Sequence, residues 1–264
     1  MSTYASDNAT VLVREQLSAL QACLDPQTID RLETLGVDGG WRCLEVGGGG
    51  GSIATWLSER VGENGYVIGT DVEPSWMREV ARDNLEVRQH DIVADELPAG
   101  EFDLVHARLV LVHFPERQRA LRRMVRSLKP GGWLLLEEFE TTWMPILAVP
   151  DGSGARLFEK VQTAMMSVLE EAGLDSQWAY ETYGALRDQG LVDVGLATFA
   201  ESWRGGSAGC DLHHVNSRQL QDKAVASQLA TEAEFDAFRQ LVSDPRFAVS
   251  SYQLVSTWGR RPRE

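Results

Sequence analysis

The stretch Arg42-Cys43-Leu44-Glu45-Val46-Gly47-Gly48-Gly49-Gly50-Gly51, continued through Ser52–Val61 to Tyr66-Val67-Ile68-Gly69-Thr70-Asp71, decides the fold. It reads as strand, glycine loop, helix, strand. Leu44 and Val46 make a short apolar strand, five glycines stop it, and Ile53, Ala54, Leu57 and Val61 recur at helical spacing. Glycine lets the chain turn sharply and lets a ligand approach without meeting a β-carbon. The helix that follows aims its unpaired N–H groups back over the loop, which suits a carboxylate, hydroxyls or phosphates. Gly62, Asn64 and Gly65 end that helix, a second strand runs from Tyr66 to Thr70, and Asp71 stands at its tip. An acid about 20 residues beyond such a loop is where a nucleotide-binding βαβ unit holds the ribose hydroxyls.

Two families share this geometry. Counted from Gly49, the loop meets the dinucleotide pattern Gly-x-Gly-x-x-Ala through Gly51 and Ala54, so a nicotinamide-dependent oxidoreductase is one alternative. Glu45 separates the two. With it the sequence resembles the Rossmann-like, class I S-adenosylmethionine-dependent methyltransferases, whose first motif is Glu/Asp-x-Gly-x-Gly-x-Gly. In that family the leading acid lies near the methionine end of the cofactor, which carries an ammonium group. A pyrophosphate over the loop would be repelled by the same carboxylate.

The resemblance runs from about Trp41 to Phe139. It includes Asp91-Ile92 after a third strand (Leu85 to His90), Phe102-Asp103-Leu104-Val105 in a fourth, and Lys129-Pro130-Gly131-Gly132 before a fifth (Trp133 to Glu138). It implies S-adenosyl-L-methionine as cofactor and S-adenosyl-L-homocysteine as product. Glu45, Gly47, Gly49 and Gly51 would hold the methionine end, Asp71 and Val72 the ribose side, Asp91 and Ile92 the adenine, and Arg108 would stand beside the sulfonium. It also implies the fold: α/β, a doubly wound, seven-stranded, mostly parallel sheet with a helical cap.

The expected organisation is N-terminal cap helices over 1–40, the cofactor-binding core over 41–140, a helical cap over 141–190, and strands and helices completing the sheet over 191–264. Val13, Leu17, Leu20 and Leu24 predict one helix, and Asp25-Pro26 opens a second with Ile29, Leu32 and Leu35. Arg156–Gly173, Trp178–Arg187, Arg218–Ala230 and Thr231–Ser243 also read as helices, the last opened by the capping box Thr231-x-x-Glu234. Leu191–Phe199 and Val249–Trp258 read as strands.

The 264 residues are 43% hydrophobic and 24% charged, and no apolar run is long enough to span a bilayer. Met1 to Asp7 lacks the pattern of a secretory signal. Cys23, Cys43 and Cys210 are widely spaced, which gives neither a disulfide framework nor a zinc site and suits a reducing cytoplasm. A net charge of −14 disfavours nucleic-acid substrates. Arg119, Arg122, Arg123 and Arg126 read as the solvated face of a helix. The expected partner is a small molecule, and the expected state a monomer or homodimer.

Methyl transfer from a sulfonium needs chiefly alignment, with a base where the acceptor is a hydroxyl or an acidic C–H. His113, beyond the fourth strand, and Glu138, ending the fifth, are the candidate catalytic residues. Glu137 and Glu138 face opposite sides of a strand, so only one is expected to meet a substrate. No carboxylate cluster points to a magnesium site, and the scattered cysteines argue against thiol-based methyl acceptance. The expected activity is methylation of a small molecule, of the kind found in secondary metabolism. A methyltransferase-like cyclase that keeps the cofactor for structure is a further alternative, and a non-catalytic binding partner another.

Overall fold

The computed structural model describes residues 3–263, so Met1, Ser2 and Glu264 of the expected terminal segments lie outside the described residues. In chain order the elements begin α1 (Thr3–Thr34), β1 (Arg42–Val46), α2 (Ser52–Val61), β2 (Tyr66–Asp71), β3 (Leu85–Gln89), β4 (Phe102–Arg108), α3 (Arg117–Ser127) and β5 (Leu128–Glu140). They continue β6 (Ile146–Ala148), α4 (Gly154–Glu171), α5 (Trp178–Asp188), β7 (Val192–Phe199), β8 (Ser202–Arg204), α6 (Ala208–Ala226), α7 (Glu232–Ser243), β9 (Ala248–Ser250) and β10 (Gln253–Arg260).

The chain forms two compact units. The first holds 25–140, 175–199 and the residues from 254 onward. Its seven-stranded sheet has the order β3-β2-β1-β4-β5-β10-β7, with the β1/β2, β1/β4, β2/β3 and β4/β5 pairs parallel and β10 antiparallel to β7. This is the expected seven-stranded, mostly parallel α/β sheet. Strand order reverses between β1 and β4, and in open α/β sheets that point, at the carboxyl ends of the strands, is where ligands bind. Leu44, Val67, Leu104 and Leu135 are fully or almost fully withdrawn from water, as near-continuous apolar strands covered on both faces require. Leu32 of α1, with Ile53, Ala54, Leu57 and Val61 of α2, packs into the same core.

The second unit holds the residues through Leu24 together with Thr141–Leu174 and Ala200–Gln253. It contains α4, α6 and α7 and a three-stranded sheet in the order β6-β9-β8. Phe158, Trp203, His213, Phe238 and Tyr252 build its aromatic centre, with Phe158 and Phe238 stacked at 5.4 Å and His213 edge-on to Tyr252 at 5.2 Å. The capping box at Thr231 and Glu234 forms as the sequence predicts.

These units cut the expected segments at different places. Pro26 does not begin a second helix: α1 runs through it unbroken, and passes from one unit to the other at Leu24/Asp25. Proline removes a single N–H from the ladder, and burial of Thr28 and Leu32 on the following turns holds the helix together. The 141–190 segment divides at Leu174/Asp175, because α5 packs against β5 and β7 of the large sheet. The final stretch is two strands, with β9 in the small sheet and β10 in the large one. The helix expected from Arg218 starts ten residues earlier, at Ala208, and takes in His213 and His214.

Candidate cofactor and active site

Of the five glycines after β1, Gly47, Gly49 and Gly51 have φ of 68°, 52° and 80°. These are the alternate positions of the motif, and each lies in the left-handed region that side chains disfavour. Gly48 is required for a different reason. A β-carbon there would stand 2.7 Å from the Met77 sulfur, and one on Gly69 would stand 2.6 Å from it. The fully buried Met77 therefore lies in a slot made by Gly48 of the loop and Gly69 within β2. Gly51 precedes α2, and no side chain caps that helix. Its first N–H groups are left for a ligand.

Asp71 ends β2 beside the loop. Its Oδ2 accepts the Gly49 N–H at 3.0 Å and its Oδ1 accepts the Glu73 N–H at 2.9 Å, which leaves lone pairs on both oxygens. Val72 next to it is 61% exposed. Asp91 caps the turn after β3, its Oδ1 accepting the N–H groups of Val93 and Ala94. Ile92 is buried, and its carbonyl accepts from Arg123 Nη1 at 3.0 Å. Arg123 also donates to the carbonyls of Val93 and Ala94 and pairs with Glu96. This corrects the reading of a wholly solvated basic face: Arg119, Arg122 and Arg126 are exposed, but Arg123 is buried and holds the 92–96 loop.

Beneath the loop lies a chain of buried polar groups. Glu45 and His106 are register partners on β1 and β4, and Glu45 Oε2 meets His106 Nδ1 at 2.6 Å. His106 Nε2 points to Glu137 Oε2 at 3.4 Å. Glu137 also accepts from Thr28 Oγ1 and Ser256 Oγ, both at 2.5 Å. Burial pulls the His106 pKa down, but Glu45 and Glu137 outweigh it and lift it to about 9, so the ring is an imidazolium near neutral pH. Burial likewise works to raise Glu137, and the bonds from His106, Ser256 and Thr28 hold it below the ordinary carboxylate value. Arg108 is drawn into the same chain, donating to Thr28 Oγ1 at 2.9 Å and pairing with Asp25 at 2.8 Å. Its guanidinium thus anchors the last turns of α1.

Glu138 looks the other way. Its Oε1 accepts the Leu111 N–H at 2.9 Å, while its Oε2 and Trp178 Nε1 are both buried without a hydrogen-bond partner. Burial raises its carboxyl to about 8, against the opposing effects of the Leu111 and Val112 N–H groups, the Trp178 indole and Arg117. No formed hydrogen bond joins the indole to the carboxyl, although the indole still favours its ionised form. His113 ends a short 3₁₀ turn, Leu111–His113, after β4. The crowding around its ring lowers its pKa, opposed by the Leu109 backbone; with the residue exposed to solvent, the shift carries little energy. Leu109 has a φ of 57°, which is backbone strain at the carboxyl end of β4.

The structure therefore gathers Glu45, the glycines and Asp71 at one loop, sets Asp91 and Ile92 in the turn after β3, and places Glu138 and His113 near the end of β4. His106, Thr28, Met77 and Trp178 are the residues that sequence reasoning missed, and Glu137 entered it only as the neighbour facing away from Glu138. The signal for His106 was present: an acid inside an apolar strand needs a partner at its own height on the next strand.

Residues 44–136 match the methyltransferase domain family. The chain is 38% identical over 127 residues to a ubiquinone/menaquinone biosynthesis C-methyltransferase of Laribacter hongkongensis, an alignment covering 46% of this chain and 52% of that protein. To the protein of the same name from Vibrio vulnificus it is 36% identical over 142 residues, covering 49% and 54%. The chain thus spans about half the length of these relatives. Among solved structures, a methyltransferase-fold protein from Bacillus halodurans superposes with a TM-score of 0.55 at 18% identity, covering 88% of this chain and 98% of that one. Phosphoethanolamine N-methyltransferase 2 of Haemonchus contortus, in complex with S-adenosyl-L-methionine, gives 0.55 at 16% identity, covering 90% and 52%. At these identities the structural likeness shows the shared fold.

Proposed function

From the premise that residues 44–136 are a methyltransferase domain of the Rossmann-like class, we propose that this protein transfers the methyl group of S-adenosyl-L-methionine to a small-molecule acceptor and releases S-adenosyl-L-homocysteine. The observation that carries the reading is the glycine loop set between two acids, Glu45 beneath Gly48 and Asp71 against Gly49. Glu45 Oε1 takes no protein partner among the described residues and is left for the methionine ammonium. Asp71 retains lone pairs for the ribose hydroxyls, and the exposed Val72 beside it offers an apolar surface to the base. Asp91, with Oδ1 committed to its turn, keeps Oδ2 for the adenine amino group. Arg108, bound by Asp25 and Thr28, acts on the cofactor through its position and the order of α1.

The cofactor supplies an already activated methyl group. What the chain adds is alignment, exclusion of water and a proton acceptor. Glu138 is the favoured acceptor because its carboxyl is fully buried, its Oε2 is unpaired, and its raised pKa lies near the pH at which a base is most effective. His113, at the end of the 3₁₀ turn, is the second candidate. The acidic net charge supports a small organic acceptor, such as those of secondary metabolism, in preference to a polyanion. Three free, buried cysteines support a reducing compartment such as the cytoplasm, and no described helix is long and apolar enough to cross a membrane.

Calorimetry with S-adenosyl-L-homocysteine and with a nicotinamide dinucleotide, followed by mass spectrometry of pooled small metabolites incubated with methyl-labelled cofactor, tests the reading. Binding of the homocysteine product and appearance of a labelled metabolite are expected. Preference for the dinucleotide would overturn the proposal, and binding without any methyl transfer would favour a cyclase-like use of the same pocket.

A further inference from the structure

The buried chain beneath the glycine loop has more order than packing alone requires. Glu45, His106, Arg108 and Glu137 share one face of three adjacent strands, and the register sets Glu45 opposite His106 and Arg108 opposite Glu137. All but Arg108 are almost wholly shielded from water. Placing two carboxylates in such a setting is costly unless something between them carries positive charge and donates to both. His106 is that group, with Nδ1 toward Glu45 and Nε2 toward Glu137.

We propose that His106 is a positioning residue for the cofactor, fixing Glu45 through Oε2 so that Oε1 is presented to the ammonium of the methionine tail. The inference rests on the cofactor reading above and adds a residue that the loop motif does not contain. Glu137, held from its far side by Thr28 and Ser256, fixes the imidazole in turn. Glu45 therefore has one oxygen committed and one free. A carboxylate held by a charge-assisted bond is pre-organised, so the ammonium does not have to order it on binding.

The two ring nitrogens permit a selective test. An asparagine amide nitrogen falls near the place of Nδ1, and a glutamine amide nitrogen near that of Nε2. His106→Asn thus keeps a donor to Glu45, whereas His106→Gln keeps only the donor to Glu137. Calorimetry is run on the full chain with two ligands: S-adenosyl-L-homocysteine, which carries the ammonium, and 5′-methylthioadenosine, which lacks the amino-acid tail. The expected result is that His106→Gln weakens the first by about tenfold or more and leaves the second unchanged, while His106→Asn stays within about threefold for both. Parallel loss of both ligands in His106→Gln would mark His106 as merely structural and overturn the inference. So would His106→Gln binding the homocysteine compound as the unmodified protein does. Should the glutamine variant not fold, the test rests on His106→Asn, where a large loss shared by both ligands overturns the inference. Failure of the unmodified protein to bind either compound would instead remove the cofactor reading, and the inference with it.

Discussion

Asp71 Oδ2 accepts the backbone N–H of Gly49 at 3.0 Å, so the acid assigned to the ribose and the loop assigned to the methionine tail are joined before any ligand arrives. Asp71→Ala removes both the ribose contacts and this tie. With two charge-assisted bonds of about 1.5–3 kcal/mol each at stake, cofactor affinity should fall at least tenfold. Asp71→Asn, which can still accept from Gly49, should lose less. Calorimetric titration of both variants checks the order, and an unchanged dissociation constant in a folded Asp71→Ala protein would take Asp71 out of the site.

The two candidate bases differ in where they titrate. Glu138 has its carboxyl raised to about 8, so a rate that depends on its ionised form should climb as pH rises through 8 and level off beyond. The His113 pKa is below the ordinary 6.5, so a rate that depends on it should already be level above that pH. Glu138→Gln should lower kcat by roughly 10²- to 10⁴-fold and abolish the inflection, with cofactor affinity nearly unchanged. An undiminished kcat in Glu138→Gln, with loss in His113→Ala, would transfer the role to the histidine.

Gly48 is expected to tolerate no side chain. The β-carbon of Gly48→Ala would meet the Met77 sulfur at 2.7 Å and Glu45 Cγ at 3.3 Å, and Met77 is confined by Gly51 and Gly69 as well. Overpacking of this kind costs about 1–3 kcal/mol. Urea denaturation should show a lower midpoint with the same slope. A midpoint equal to that of the unmodified protein would show that Met77 can leave its slot freely.

Stability should decline on the alkaline side. His106 titrates at about 9 in the folded chain against 6.5 ordinarily, so its contribution is complete below about pH 6.5 and is lost as pH rises through 9. Glu138 titrates at about 8 against 4.5, so keeping its carboxyl protonated in the fold costs progressively more between those values and no more above them. Both act in the same direction between pH 6.5 and 8, and His106 alone continues to about 9. Scanning calorimetry should find a lower melting temperature at pH 9 than at pH 6.5, with a smaller drop in Glu138→Gln. A melting temperature that rose over that interval would contradict both assignments.

The part of the fold legible in the sequence was the part written locally. Leu44 to Asp71 names its own strand, loop and helix because glycines and apolar spacing act within a few residues of one another. His106 was hidden because its meaning depends on Glu45, 61 positions earlier, and only the pairing of β1 with β4 brings them level. Arg123 misled for a related reason. It stands at the edge of the apolar side of α3, where a long side chain can bury its stem and bring its guanidinium to backbone carbonyls in another loop. The strands β6, β8 and β9 are three residues each, too short for an alternating pattern to show. Glu138 was found, but the burial of its unpaired Oε2 belongs to packing alone.

The chain passes between its two units five times, at Leu24, Glu140, Leu174, Phe199 and Gln253. Neither unit is therefore a continuous fragment that could be expressed alone, and each folds only by closing loops that contain part of the other, at an entropic cost that grows slowly with their length. During synthesis this sets an order of events. Strand β10 stands between β5 and β7, so the large sheet remains divided, with β5 and β7 presenting open edges, until residues 254–260 have left the ribosome. A nascent chain halted before them would display two unpaired strand edges, each a template for pairing with another chain.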